Sequence, residues 1–307
     1  MAAIVAAIIA ATGVGIWAER RYGQRAGEAA RRSLLFVLYF VLPPTTFFNL
    51  VHVHFDANVG AGIGLGYVAL AGACLVAWLF ASRVLGLSRP AIGSVLVCVV
   101  VANTGYLGYP LVAALLGFDD LSQAVVYDVL VSGPALLMGA FSLAAAFGAE
   151  AGERPRERII AFFVRNPALY AAALALIAPD ALAPTVLVDA SRIAIVAVLP
   201  LGFFAVGTAL AAEAEEGAMA IPPRLDAPVA LAVVSRLLVA PALLYVLALW
   251  LIDLPDAYLL LAAMPCGINT MVVTHAYGLD LRVSAGAVAW STAIAVVAII
   301  PISLVGG

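Results

Sequence analysis

Apolar runs set the rhythm of this chain. They fall at 2–18, 33–53, 58–82, 91–116, 123–148, 166–188, 190–212, 227–252, 256–278 and 283–305, with short polar connections between them. About 20 consecutive apolar residues cross a bilayer as a helix, so the pattern predicts an all-α polytopic membrane protein with ten transmembrane helices. Pro179, Asp180 and Pro184 interrupt the sixth run, which is expected to end near Ala178 and leave a short outer loop. Composition agrees: of 307 residues, 65% are hydrophobic and 11% charged, at a mean hydropathy of +1.13. A soluble fold of this length has too little interior for so much apolar surface. The chain is apolar from Ala2 with no basic stretch, so its first run reads as a span rather than a cleaved signal.

Charge adds direction. The basic residues other than histidine are all arginine. Arg20, Arg21, Arg25, Arg31 and Arg32 follow the first run, and Arg83 and Arg89 the third. Arg154, Arg156, Arg158 and Arg165 follow the fifth, Arg224 the seventh and Arg282 the ninth. The opposite connections hold Arg192 alone, beside Asp56, Asp119, Asp120, Asp180, Asp189, Asp253 and Asp256. The positive-inside rule makes the arginine-rich connections cytoplasmic and places both termini outside. A net charge of −3 points to no partner class, and nucleic acid is not an expected partner. Cys74, Cys98 and Cys266 lie in apolar runs and supply neither a disulfide framework nor a zinc pattern. No cofactor or metal is expected.

The charged stretch 149–165 divides the chain into halves of five spans, 1–148 and 166–307. An odd number of spans per half requires any structural repeat to be inverted. Weak internal similarity agrees: Val41-Leu-Pro-Pro-Thr-Thr-Phe-Phe48 in span two and Val198-Leu-Pro-Leu-Gly-Phe-Phe-Ala205 in span seven occupy matching positions.

Candidate chemistry concentrates in spans four and nine. Asn103 to Pro110, NTGYLGYP, places an amide, a hydroxyl, two glycines and a proline between apolar flanks. Pro110 is expected to cost the helix a backbone bond, with Gly105 and Gly108 loosening it. Span nine repeats the theme in Met264-Pro-Cys-Gly-Ile-Asn-Thr270. At about 1.5 Å per residue, Asn103 and Asn269 lie roughly 18–20 Å into their spans, in the middle third of the hydrocarbon. Freed backbone at that depth is tolerated only where it is buried in protein or lines a cavity. Paired interruptions in the two halves point to a transport site.

These motifs carry a resemblance. NTGYLGYP is similar to the Asn-x-Gly-x-x-Gly-x-Pro signature of the auxin efflux carrier family, bacterial relatives of the plant PIN and PIN-like proteins. The Met264-Pro-x-x-x-Asn269 run resembles that family's ninth-span pattern, and the likeness covers essentially the whole chain. The resemblance implies two inverted five-helix repeats in which broken helices four and nine cross. It implies a scaffold of spans 1, 2, 6 and 7 and a transport domain of spans 3–5 and 8–10. It further implies elevator-type movement of a small organic anion, a carboxylate or auxin, in a bacterial inner (plasma) membrane. Asn103 and Pro110 match the first crossing element, and Pro265 and Asn269 the second.

Asn103 and Asn269 offer amide donors that hold a carboxylate without burying a charge, or else satisfy backbone groups released by the prolines. Gly105, Thr104 and Thr270 adjoin them. Half-helix N-termini at the breaks add N–H donors and positive dipole ends, favouring an anion. Asp128, a few residues into span five, is a candidate for ion coupling or a boundary residue. Arg236, over two turns into span eight, is a candidate for attracting the anion or pairing with a carboxylate, or for snorkelling to the interface. His275 is a candidate proton carrier or a packing histidine. The coupling ion is left open between H+ and Na+, and so is homodimerisation. The partners are then the solute and the lipid bilayer. A sodium-coupled symporter resembling the bile acid family is the related alternative. An intramembrane enzyme or sensor is the distant one, without a His-Glu-x-x-His or Gly-x-Ser-x-Gly motif to support it.

Overall fold

The computed structural model describes residues 2–53, 56–148, 167–215 and 223–305; the expected linker 149–165 lies outside them. The described residues are helical, an arrangement in which each spanning segment satisfies its own backbone in lipid. In order, the helices are α1 (Ala2–Tyr22), α2 (Gln24–Leu50), α3 (Ala57–Val84), α4 (Arg89–Val100), α5 (Tyr109–Leu115), α6 (Leu121–Phe147) and α7 (Pro167–Ala175). They continue with α8 (Thr185–Ala197), α9 (Leu199–Glu215), α10 (Ala227–Ala248), α11 (Asp256–Ala262), α12 (Asn269–Ala276) and α13 (Leu281–Val305). Among the described residues, six helices are long and apolar enough to cross a membrane: α2, α3, α6, α8 running on into α9, α10 and α13. The fourth and ninth apolar runs are not among these, because each is broken into two short helices.

Two boundaries differ from the hydropathy reading. The arginine-rich segment after the first run is helix rather than loop. α2 begins at Gln24, immediately after Gly23, whose φ of 52° turns the chain in the left-handed region that suits glycine. Ala26 and Ala30, one turn apart, are buried, while Arg32 pairs with Glu28 at 3.6 Å on the outer face. Hydropathy sees only the apolar middle of such a helix. The other difference lies between spans six and seven. The chain leaves the α-helix from Leu176 to Pro184, with one 3-10 turn at Asp180–Leu182, and helix resumes at Thr185, so residues 188–190 lie inside α8. Prolines stop the helix there; the polar Asp189, Ser191 and Arg192 do not. Arg192, expected in a loop, sits on α8 and donates to Asn49 Oδ1 at 3.1 Å, with Asp119 at 3.4 Å.

Packing falls into two groups. α9 lies along α1 and touches α2, which is also covered by α7 and α8. The other group joins α3 to α4 and α10, α4 to α6, α10 and α13, and α12 to α13. Within the first group α1 and α9 meet backbone to backbone. A Cβ on Gly15 would stand 2.3 Å from Phe204 O, and one on Gly207 2.2 Å from Thr12 O. Small residues permit such approach in lipid, where van der Waals contact replaces the hydrophobic drive.

Several helices contain a wide π turn. Those used below are Thr104–Gly108 ahead of α5, Asp128–Ser132 in α6 and Ser235–Val239 in α10.

Candidate functional site

Between α4 and α5 the chain straightens. Val101 is extended, and Ala102 forms an isolated antiparallel bridge with Cys266, in the gap between α11 and α12. Asn103 N–H donates to Pro265 O at 2.8 Å, and Gly267 N–H donates to Val101 O at 2.9 Å. The two interrupted runs therefore cross and are joined through main chain. Glycine at 267 is required by contact: a Cβ there would lie 2.9 Å from Ala102 O.

The break lies earlier than the proline suggests. The chain parts at 101–103, and the π turn from Thr104 leads straight into α5 with Pro110 in its first turn. Proline is tolerated there because the first-turn N–H has no helical partner anyway. In span nine the proline does sit in the gap, at 265.

Buried backbone groups need partners, and here they find them both within the crossing and on the neighbouring helices. Cys266 N–H donates to Ser291 Oγ at 3.1 Å. Carbonyls near the ends of α4 and α11, and one in the gap that follows α11, are met by Arg236, a fully buried side chain of α10. Its Nη1 donates to Val99 O at 2.8 Å, its Nε to Met264 O at 3.0 Å, and its Nη2 to Ala262 O.

Beyond the bridge lies a cavity of about 490 Å³. Its polar lining includes Asn103, Thr104, Asn269, Asp128, Ser132, Tyr106 and Arg31. Leu34, Leu38 and Leu42 of α2 and Leu136 and Leu137 of α6 make apolar walls. Among the described residues neither side-chain amide, Asn103 nor Asn269, has a hydrogen-bond partner, while both line this space. Asp128 accepts from Thr104 Oγ1 and, at 2.7 Å, from Tyr109 Oη. Neutral donors hold this carboxylate; no cation pairs with it among the described residues. The helices that begin at Thr104 and Asn269 start at the cavity, so their N-terminal dipole ends adjoin it.

Of the residues singled out in the sequence, Asn103, Thr104, Gly105, Asn269 and Asp128 are thus brought together on the cavity wall. Five are not. Pro110 and Pro265 are buried in the first turn of α5 and in the bridge. Thr270 is fully buried behind Asn269. Arg236 neither snorkels nor meets a carboxylate but braces the crossing, and His275 is exposed near the end of α12, off the cavity. Sequence reasoning misses Arg31, which it uses only for orientation. The helical extension of α2, legible from Ala26 and Ala30, is the signal that places Arg31 on a wall. Tyr106 also lines the cavity, seated against α9, where a Cβ on Gly202 would lie 2.4 Å from its ring. The glycine of the span-seven motif thereby finds a purpose.

An α-helical, multi-pass membrane protein with two interrupted helices crossing beside a polar-ended cavity has the architecture of a solute carrier. Comparison with known families agrees: residues 2–146 and 159–303 match the family described as membrane transport protein. The chain belongs to this family, the auxin efflux carriers, which are transporters and not enzymes. The search of curated proteins gave no match.

Proposed function

We propose that this protein is a secondary carrier that moves a small organic anion, a carboxylate or auxin-like acid, by elevator-type alternating access. Its fold is then ten spans in two inverted five-helix repeats, 1–148 and 166–307, in which the fourth and ninth cross. Support for the repeat comes from the family match, which falls in two stretches, 2–146 and 159–303, parted within the central region. Support for a scaffold of spans 1, 2, 6 and 7 comes from the packing of α1, α2, α7, α8 and α9 on one another. The observation that carries the reading is the pair of unpartnered amides, Asn103 and Asn269, facing one cavity beside two helix N-termini. Amide donors and positive dipole ends favour a carboxylate and leave a sodium or ammonium ion poorly served.

In this reading the cavity faces the cytoplasm, because it runs from the crossing toward Arg31 on the arginine-rich side. The connections assigned to the opposite face of the membrane are acidic. There, burial and then Asp256 and Asp119 push the Asp120 carboxyl above the ordinary aspartate range. Arg31 is a mouth residue without an ion-pair partner among the described residues. Arg31→Gln is expected to raise the apparent KM for solute about 3-fold, the scale of one exposed charge pair. It should also flatten the dependence of uptake on ionic strength, read from initial rates at two salt concentrations.

The test of the function is counterflow in proteoliposomes, using labelled malonate and indole-3-acetate as probes. Accumulation of either supports the carrier; ligand effects with no flux would favour a sensor. Asp128 is the proton-coupling group in this scheme, since it stands on the wall and is held only by neutral hydroxyls. An imposed pH gradient is expected to accelerate uptake by the wild type, and Asp128→Asn to abolish that acceleration while counterflow persists. A wild type indifferent to the gradient dismisses the coupling role.

A further inference from the structure

Arg236 carries the next step. Helix C-termini leave their last carbonyls without helical partners and bear the negative end of the helix dipole. At interrupted helices inside a membrane, such carbonyls and unwound backbone are where carriers coordinate a sodium ion. Here three of them, Val99 O from one broken run and Ala262 O and Met264 O from the other, converge on a single side chain. That side chain is a guanidinium, permanently charged, with a planar fork of donors. It is 1% exposed, and among the described residues it makes no salt bridge. Its countercharge is the pair of helix ends it touches.

We propose that Arg236 is a tethered cation occupying the place of a coupling sodium ion, so that this carrier is independent of sodium. An ion that dissociates stores and releases gradient energy as it comes and goes. A cation fixed to α10 holds the same carbonyls in every state and contributes no such energy. It also keeps the crossing assembled when no solute is bound. Arg236 is accordingly a positioning residue, acting on the amides through the two arms it braces. The transport consequence rests on the carrier reading; the cation site itself does not.

The test is thermal unfolding of the purified full chain in sodium, potassium and choline chloride at equal ionic strength, beside counterflow in the same salts. The wild-type melting temperature is expected to be the same in all three. Arg236→Ser removes the cation and opens its space. In choline it is expected to melt about 5–10 °C lower, given a few °C per lost interaction at this chain length. Sodium, but not potassium, is expected to restore at least half of that loss. Arg236→Lys keeps a charge and is expected to stay indifferent to sodium. Selective stabilisation of the wild type by sodium overturns the proposal, as does an Arg236→Ser protein that is unaffected or is not rescued by sodium. If Arg236→Ser cannot be purified, the wild-type and Arg236→Lys comparisons decide alone. Absent counterflow with sodium-indifferent melting would sink the carrier reading and spare the tethered cation. Sodium-dependent counterflow would do the reverse.

Discussion

Alanine at Asn103 or Asn269 is expected to reduce solute uptake about 10- to 100-fold at each position, the worth of a hydrogen bond to a charged group. The amounts of folded protein in the membrane should stay at the wild-type level. The two halves of this expectation have one cause. Neither amide has a protein partner among the described residues, so truncation strands no buried donor or acceptor of the fold. What it removes is a donor aimed at the cavity. The backbone of Asn103 still donates to Pro265 O, so the bridge survives the substitution. Initial uptake rates set against a size-exclusion profile of the same sample measure both quantities. Wild-type rates in both variants would remove the amides from the site.

The second large effect concerns folding. Gly207→Ala is expected to destabilise the protein by at least about 3 kcal/mol, the upper range for overpacking a well-filled interior. The added methyl would stand 2.2 Å from Thr12 O and 3.0 Å from Ile16 N. These are main-chain atoms of α1, which cannot swing aside as the end of a side chain can. Gly15 meets α9 in the mirror-image way, 2.3 Å from Phe204 O. Gly13, two residues earlier on α1, has nothing within 4 Å of the point where a methyl would stand. Gly13→Ala therefore serves as the control and is expected to melt within about 1 °C of the wild type. Equal melting of the Gly207→Ala and Gly13→Ala proteins would mean that α1 and α9 are not in backbone contact.

Much of the crossing is legible in the sequence because its signals are local. Asn, Gly and Pro inside apolar text announce an interruption, and the recurrence of the theme at 264–270 announces its counterpart. What the text does not locate is the point of rupture. Proline marks a place where a helix can end or begin with equal ease, and Pro110 opens a helix while Pro265 lies between two. In sequence, Arg236 reads as a charge seeking either solute or water. Its partners are carbonyls of residues 28 positions later and 137 positions earlier, which no local pattern records. Arg31 is hidden for a different reason. Hydropathy ends a span at the first cluster of charge, whereas the spiral of α2 continues beneath it. The family resemblance, by contrast, is visible across the chain and holds over both matched stretches.

Thr104, Asp128 and Arg236 each sit on a π turn, where one more residue than usual is fitted into the coil. Removing a single codon from any of these turns would allow the ordinary spiral to close. It would also swing every later side chain of that helix by about 100°. A change of length at these places alters more than the residue removed, because everything after it in the helix is re-aimed. The register of three helices thus depends on one extra residue in each.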